Sequence, residues 1–150
     1  MVISSTKSAY LAGFLDGDGS IYVRLKPSKE YRYGYQIAPY VVFFQSAKYQ
    51  KDFQNICNLM KIGYLRERND GIVEYIIGRE ENIKELLKNI KPFLILKKKQ
   101  ASLMLKILKK KSKIKDRSDF EKLVSLVEEF RFLNYSKKRK PYINPVETKR

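Results

Sequence analysis

The chain has 150 residues and a formal net charge of +16, because 32 Lys and Arg stand against 16 Asp and Glu. Its hydrophobic fraction of 43% is typical of a globular protein and excludes an intrinsically disordered chain. A basic excess of this size favours a polyanionic partner, either nucleic acid or an anionic membrane. We find no apolar run as long as a membrane span and no signal peptide. We therefore expect an intracellular protein with one domain, residues 1–134, and a basic tail without fixed structure, residues 135–150.

Two residue counts restrict the chemistry that this chain can perform. Histidine is absent, which excludes histidine-based catalysis and histidine metal ligation. The single cysteine, Cys57, excludes an intrachain disulfide and a cysteine zinc site. Any reaction must therefore use carboxylates, Lys, Tyr, Gln or a hard metal ion.

The chain begins with a predicted helix that is capped by Ser5 or Thr6 and ends near Asp18. Residues 21–26 then alternate apolar and polar side chains, which is typical of a strand with one buried face. After a turn, a second strand is predicted over residues 33–44. The sequence therefore opens as a helix followed by two strands.

The second strand contains Pro39, which cannot donate a hydrogen bond to a neighbouring strand. The strand is therefore either interrupted at this residue or has an unpaired edge there. A helix is predicted over residues 48–60, and Cys57 lies on its apolar stripe, which predicts a core position. Residues 63–77 are typical of a hairpin with an Asp-Gly turn.

Three further helices are predicted in the second half of the chain. The first includes residues 83–90 and is closed by Pro92, and the second covers residues 97–111 and is rich in lysine. The last begins at a capping box that Ser118 opens, and its apolar stripe runs to Phe130. The order of the elements predicts an α+β protein.

The first helix ends in a carboxylate at an unusual position. Leu11, Phe14, Leu15 and Asp18 fall on one helical stripe, so an acid occupies the fourth place of an apolar row. Because Gly19 should end the helix, Asp18 also lies at the negative pole of the helix dipole. This position is unfavourable for an acid unless a cation lies beside it.

Gly13 and Gly17 lie four residues apart on the neighbouring face of this helix. A glycine inside a helix costs roughly 1 kcal/mol in water, so two of them require a reason. They leave a groove in which the backbone of another helix can approach closely. Taken together, residues 11–19 (LAGFLDGDG) resemble the signature of the LAGLIDADG homing endonucleases.

The resemblance implies an assembly as well as a fold. Only one copy of the motif occurs, so the chain is similar to the single-motif members, which work as homodimers. Their fold is αββαββα, with an antiparallel DNA-binding sheet, here followed by extra C-terminal helices. The motif helices of both subunits pack on the two-fold axis, and the two sheets form a saddle over DNA. Gly13, Phe14 and Gly17 are then expected in the dimer interface.

The resemblance also implies the activity of a site-specific double-strand DNA endonuclease that serves intron homing. Such an enzyme hydrolyses phosphodiesters at a long pseudo-palindromic site and leaves staggered ends. Its partners are double-stranded DNA and a second subunit, without a membrane or a small-molecule substrate. We expect it inside the cell, with the DNA of its host genome.

Phosphodiester hydrolysis of this kind needs a divalent metal ion, for which Mg²⁺ is expected and Mn²⁺ is a substitute. The carboxylate of Asp18 and the carbonyl of Gly17 are the expected ligands, whereas Asp16 lies off the stripe and is expected to be a solvated or interface acid. The resemblance implies that Gln45 positions water and that Lys99 lies near the scissile phosphate. A solvated helix face explains Lys99 equally well.

Side chains that project from one face of the strands are expected to contact DNA, since a twisted two-stranded ribbon fits the major groove. All four strands are expected to place cations on this side, although a solvated sheet face explains any one of these residues. The candidates are Ser20, Tyr22, Arg24, Lys26, Gln36, Tyr40, Arg66, Arg68 and Glu74. Glu74 can accept from cytosine or pair with an arginine. Lysines within 97–115 and 137–140 are expected to contact phosphates without reading sequence.

Two other functions are compatible with the same residues. The fold can serve as an RNA maturase that assists intron splicing, or as a DNA-binding protein whose acids are inert. Asp18 and Gln45 favour the enzyme over the inert binder, because both stand where cleaving members need them. A splicing assay would test the maturase.

Overall fold

The computed structural model describes residues 2–134, so the predicted tail lies outside the described residues. The elements are α1 (Ser5–Asp18), β1 (Gly19–Pro27), β2 (Tyr35–Ser46), α2 (Gln50–Cys57), β3 (Tyr64–Glu67), β4 (Ile72–Ile77), α3 (Glu80–Ile90), α4 (Lys98–Lys111) and α5 (Arg117–Leu133). Short 3₁₀ turns precede α2 and follow α3. The predicted α+β order, αββαββα followed by two further helices, is confirmed.

The four strands form one antiparallel sheet in the order β1-β2-β4-β3. The strand β2 is continuous through Pro39, which pairs with Val23 of β1, so the predicted interruption is wrong. On its other side, β2 is paired with β4 only from Val41 onwards. Pro39 therefore lies where one edge of β2 has no strand partner, as the second alternative requires.

The helices cover one face of the sheet and enclose the core against it. Alternate strand residues on this inner face, such as Ile21 and Phe43, are fully buried and cluster with Leu11 and Leu15 of α1. The helices α3, α4 and α5 add their apolar stripes to the same cluster. The opposite face, here called the outer face, therefore carries the side chains that are available to a partner.

The core position predicted for Cys57 is confirmed, since the side chain is only 3% exposed. Burial raises the pKa of its thiol to about 12, so the group stays protonated and unreactive at neutral pH. No helix within residues 2–134 is long and apolar enough to cross a membrane.

The predicted starts of one helix and one strand are wrong by one or two residues. Ser4, rather than Ser5 or Thr6, caps α1, and its hydroxyl accepts a hydrogen bond from the backbone N–H of Lys7. The chain enters β2 at residue 35, two residues later than predicted, because Gly34 adopts a positive φ of 82° in the preceding turn.

The start of α5 and the end of α2 also differ from prediction. The carboxylate of Asp116 accepts the N–H of Asp119 at 2.8 Å, so Asp116 caps α5 and the capping box of Ser118 does not form. The helix α2 ends at Cys57, because the chain turns over the next three residues and reaches a positive φ at Lys61.

Candidate active site and sheet surface

The motif helix ends where it meets β1. Gly19 is extended, with φ −150°, and begins the strand directly. A Cβ at this position would lie 2.9 Å from the carbonyl oxygen of Leu15 and would clash with the Leu15 side chain. The helix therefore ends at Asp18 as predicted, but glycine is required by the close approach rather than by a left-handed conformation.

Asp18 and Gly17 are both exposed at this helix end. Among residues 2–134, the side chain of Asp18 has no hydrogen-bond or ion-pair partner. The carboxylate is therefore open to solvent at the negative pole of α1. This end of the helix attracts a cation.

A lysine from a distant part of the chain supplies positive charge at this helix end. The ammonium of Lys97 donates a hydrogen bond of 2.8 Å to the backbone carbonyl of Asp16. Lys99, the predicted lysine, is exposed and its side chain makes no hydrogen bond or ion pair with a described residue, so Lys97 is the lysine that the fold brings to the motif. The sequence alone does not show which of the three consecutive lysines, Lys97 to Lys99, lies near the motif helix.

The expectation that Asp16 is a solvated acid is wrong, and its alternative, an interface acid, stays a prediction. Its carboxylate accepts the backbone N–H groups of Ile95, Leu96 and Lys97, at 2.8, 3.2 and 3.0 Å. These bonds attach the segment that leads into α4 to the last turn of α1.

Gln45 reaches the same region through the strand register. Gly19 pairs with Phe43 at the end of the β1–β2 ladder, so Gln45 lies two residues beyond it, at the end of the sheet where α1 joins β1. The side chain is half-buried, and its Oε1 accepts the N–H of Ser46 at 2.9 Å. The fold thus brings Asp18, Gln45 and Lys97 to one corner of the molecule.

The oxygen donors at this corner fit part of a magnesium shell. Residues 2–134 contain no cluster of three or more acidic, His or Cys side chains that could hold a metal ion. Asp18 and the Gly17 carbonyl offer hard oxygens, which Mg²⁺ prefers, and Mg²⁺ commonly completes its octahedron with waters and phosphate oxygens. The residues therefore fit a metal that is shared with a phosphate or with a second subunit.

The strand registers place all the predicted contact residues on the outer face. Tyr22 is opposite Tyr40 and Lys26 is opposite Gln36, while Arg66 is opposite Glu74. The others share this face: Ser20, Arg24 and, at the end of the β3 ladder, Arg68. The cations come only from β1 and from β3 with its turn, so the expectation that all four strands contribute them is wrong.

Part of the outer face is already ordered by contacts within the chain. The rings of Tyr22 and Tyr40 lie 5.2 Å apart between centroids, and the Lys26 ammonium donates to the Tyr40 hydroxyl at 2.6 Å. Burial raises the pKa of Tyr22 above its ordinary value, so its phenol remains a neutral hydrogen-bond donor.

The arginines of the β3–β4 hairpin differ from each other. Arg68 bonds Asp70 at 2.6 Å and Glu74 at 3.4 Å, so Glu74 pairs with an arginine here, one of its two predicted roles. Arg66 is exposed and has no ion pair with a described residue. Tyr75, which the sequence did not single out, holds the hairpin by accepting the N–H groups of residues 62 and 63.

The three residues predicted for the dimer interface fall into two groups. Gly13 and Gly17 are exposed, and an added Cβ at either would meet no atom within 4 Å. Phe14 instead packs inside its own chain, 5.8 Å from the Phe53 ring and 5.9 Å from the Phe43 ring. The open face of α1 is therefore formed by the glycines, with Tyr10 exposed beside them.

Comparison with known proteins identifies the family to which these features belong. The sequence profile of the LAGLIDADG endonuclease family matches residues 11–110. The chain belongs to this family. It is 34% identical over 132 residues to the DNA endonuclease I-CreI of Chlamydomonas reinhardtii. This alignment covers 87% of this chain and 80% of that protein.

Two crystal structures of a second LAGLIDADG endonuclease, I-CvuI of Chlorella vulgaris, have the same fold. The complex with its own target in the presence of 2 mM Ca has a TM-score of 0.87 and 31% identity, over 96% of this chain and 92% of that chain. The complex with the I-CreI target, in 2 mM Mg and with uncleaved DNA, has a TM-score of 0.84 and 32% identity, over 90% and 86%.

Proposed function

We propose that this protein is a site-specific double-strand DNA endonuclease of the homing type, which acts as a homodimer with Mg²⁺. The observation that carries the proposal is an exposed carboxylate, Asp18, at the negative pole of the motif helix, beside a sheet whose outer face bears arginine, lysine, glutamine and tyrosine. The relatives I-CreI and I-CvuI are DNA endonucleases. An enzyme of this kind works inside the cell, where genomic DNA is found.

The dimer follows from the number of acids. Cutting both strands requires two reaction centres, and each chain offers one exposed motif carboxylate, Asp18. An isologous pair with a two-fold axis between the α1 helices brings two such carboxylates together. The open faces at Gly13 and Gly17 support this, because an added Cβ at either position meets no atom within 4 Å, which leaves room for a second helix to approach closely.

The Asp18 carboxylate and the Gly17 carbonyl would hold the metal, together with phosphate oxygens of the substrate. When bound, Mg²⁺ polarises the scissile phosphate and stabilises the charge that develops on the attacking and leaving oxygens. A hard ion with few protein ligands is consistent with the lack of any three-carboxylate cluster in residues 2–134.

The remaining side chains of the corner act on water and charge. The amide of Gln45 orients a water molecule for attack, since a half-buried amide presents both a donor and an acceptor. The ammonium of Lys97 offers positive charge near the scissile phosphate, where negative charge grows in the transition state. Lys99 is more distant from this role and contacts phosphate at most.

DNA recognition uses the outer face of the sheet. Arg24, Arg66 and Arg68 suit guanine edges or phosphates, Gln36 suits adenine, and Tyr22 with Tyr40 packs against bases or methyl groups. Ser20, Lys26 and Glu74 complete the surface, where Glu74 fixes Arg68. Two copies of this face across a two-fold axis read a pseudo-palindromic site.

The proposal is tested by selecting a cleaved duplex from a randomised DNA library with Mg²⁺ present. Wild-type protein is then compared with Asp18→Asn and with Asp52→Asn, which removes an exposed charge of α2. We expect double-strand cleavage by the wild type and the Asp52 variant only, and none in EDTA. Binding of DNA without cleavage by the wild type under all metals would instead support the inert binder.

A further inference from the structure

The segment between α3 and α4 is held in an unusual way. Leu94 is buried, but the next two side chains, Ile95 and Leu96, are 84% and 71% exposed. The side chains of Ile95 and Leu96 therefore contribute little packing that could fix the backbone of this segment. Three successive N–H groups of this kind form a concave site for an anion, and here the anion is the carboxylate of Asp16.

The same residue also fixes a side chain. Lys97 donates its backbone N–H to the Asp16 carboxylate and its ammonium to the Asp16 carbonyl, at 3.0 and 2.8 Å. The backbone bond sets where the Lys97 side chain begins, and the carbonyl sets where it ends. Asp16 thus determines where this cation lies relative to Asp18, two residues further along α1.

We propose that Asp16 is a positioning residue for the cleavage reaction, acting through Lys97. It couples the start of α4 to the end of the motif helix, so that the ammonium stands at the last turn of α1 before DNA binds. This inference rests on the proposed function. Pre-set geometry matters, because a displacement of about 1 Å can cost roughly 100-fold in rate.

The test is a double-mutant cycle on single-turnover cleavage, at saturating concentrations of the duplex that the wild type selects. The variants are Asp16→Ala, Lys97→Met and the double variant, with Glu129→Ala on α5 as a control for the loss of an exposed acid. Asp16→Asn keeps one acceptor oxygen. It takes the place of Asp16→Ala if the Asp16→Ala protein does not fold.

We expect Asp16→Ala to lower the cleavage rate roughly 10- to 100-fold without changing DNA affinity. The double variant should cut no slower than Lys97→Met alone. Asp16→Asn should be intermediate, and Glu129→Ala should match the wild type. As a readout independent of activity, amide hydrogen exchange at residues 95–97 should accelerate in both Asp16 variants.

The inference would be overturned if the fold-loss of cleavage rate in the double variant equalled the product of the losses in Asp16→Ala and Lys97→Met, because Asp16 would then act independently of Lys97. Loss of DNA affinity at unchanged rate, or unchanged exchange at residues 95–97, would also overturn it. A wild type that cleaves no duplex would contradict the proposed function. A cleaving wild type with equally fast Asp16 variants would contradict only this inference.

Discussion

At the scale of the residue, the negative charge at the end of α1 is only partly compensated within the chain. Asp18 adds a negative side chain to the negative pole of the helix, and the Lys97 ammonium, bonded to the Asp16 carbonyl, offsets part of that repulsion. The cation that the sequence required at this position is therefore partly supplied by the protein. What remains uncompensated is the exposed Asp18 carboxylate itself, which suits a metal ligand.

This balance leads to a prediction for Asp18→Asn beyond the loss of cleavage. The change removes one charge and preserves shape, so DNA affinity should stay the same or rise, because a carboxylate near phosphate is lost. Unfolding of the metal-free protein should become slightly less favourable, by no more than about 0.3–1 kcal/mol, since Lys97 already offsets part of the dipole term. DNA titration without metal measures the affinity, and thermal melting without metal measures the change in stability. A large loss of stability would make Asp18 a structural residue.

The two hairpin arginines should differ when each is truncated. Arg66 has no ion pair with a described residue, so Arg66→Ala should relax base preference at one position of each half-site, by about 1–3 kcal/mol. Arg68→Ala should do the same but also leave Glu74 and Asp70 without their partner. Lys113→Ala on the helical side is the control and should weaken all sequences alike. The measurement is the cleavage of DNA sites that each carry one substituted base pair. If each arginine variant lost activity equally on all of these sites, the assignment of the outer face to base recognition would be wrong.

At the scale of the element, α1 is a helix with one face in the core and one face open. Leu11 and Leu15 are fully buried, whereas Gly13 and Gly17 have empty space around them. Two glycines lower the intrinsic helix stability, so the packing of the buried face must hold the helix, and the open face is free to receive a second helix. Phe14 stabilises this arrangement from inside the same chain.

Gly13→Leu should therefore separate the two subunits without unfolding either. An added Cβ at this position meets no atom of its own chain within 4 Å, and glycine is a poor helix former, so the melting temperature of the monomer should hold or rise slightly. Sedimentation should show loss of the dimer, and double-strand cleavage should disappear. Ser5→Leu, on the first turn of the same helix, is a control for added apolar surface. A Gly13→Leu dimer that still cuts both strands would contradict the predicted two-fold axis.

The elements could be predicted from the sequence because their signals are local. Alternation marked β1, and apolar spacing marked α3 and the buried position of Cys57. The caps were less predictable, since Asp116 and Ser118 both offer an acceptor within two residues and only the backbone geometry selects Asp116. The choice of Lys97 over Lys99 could not be predicted, because it depends on bonds to Asp16, about 80 residues away in the chain.

At the scale of the whole molecule, the charge is distributed over two surfaces with different roles. The outer face carries its cations on β1 and on the β3–β4 hairpin, with tyrosines between them. On the helical side, a cavity of about 310 Å³ between α4 and α5 is lined by four lysines, Lys106, Lys110, Lys113 and Lys122, with Asp119 beside them. Mobile lysine side chains of this kind are suited to phosphates and carry no information on base sequence.

The last prediction follows from this division. If the helical lysines contact phosphates, each contact releases condensed counterions, and the logarithm of the binding constant falls with the logarithm of salt by about 0.9 per phosphate neutralised. Lys113→Ala should therefore make the slope about 1 unit shallower per subunit and weaken specific and random DNA alike at low salt. Glu129→Ala removes a negative charge instead of a positive one and should not make the slope shallower. DNA titrations from about 50 to 200 mM salt measure the slope for each protein. An unchanged slope for Lys113→Ala would show that α4 and α5 lie away from the DNA, with binding confined to the outer face of the sheet.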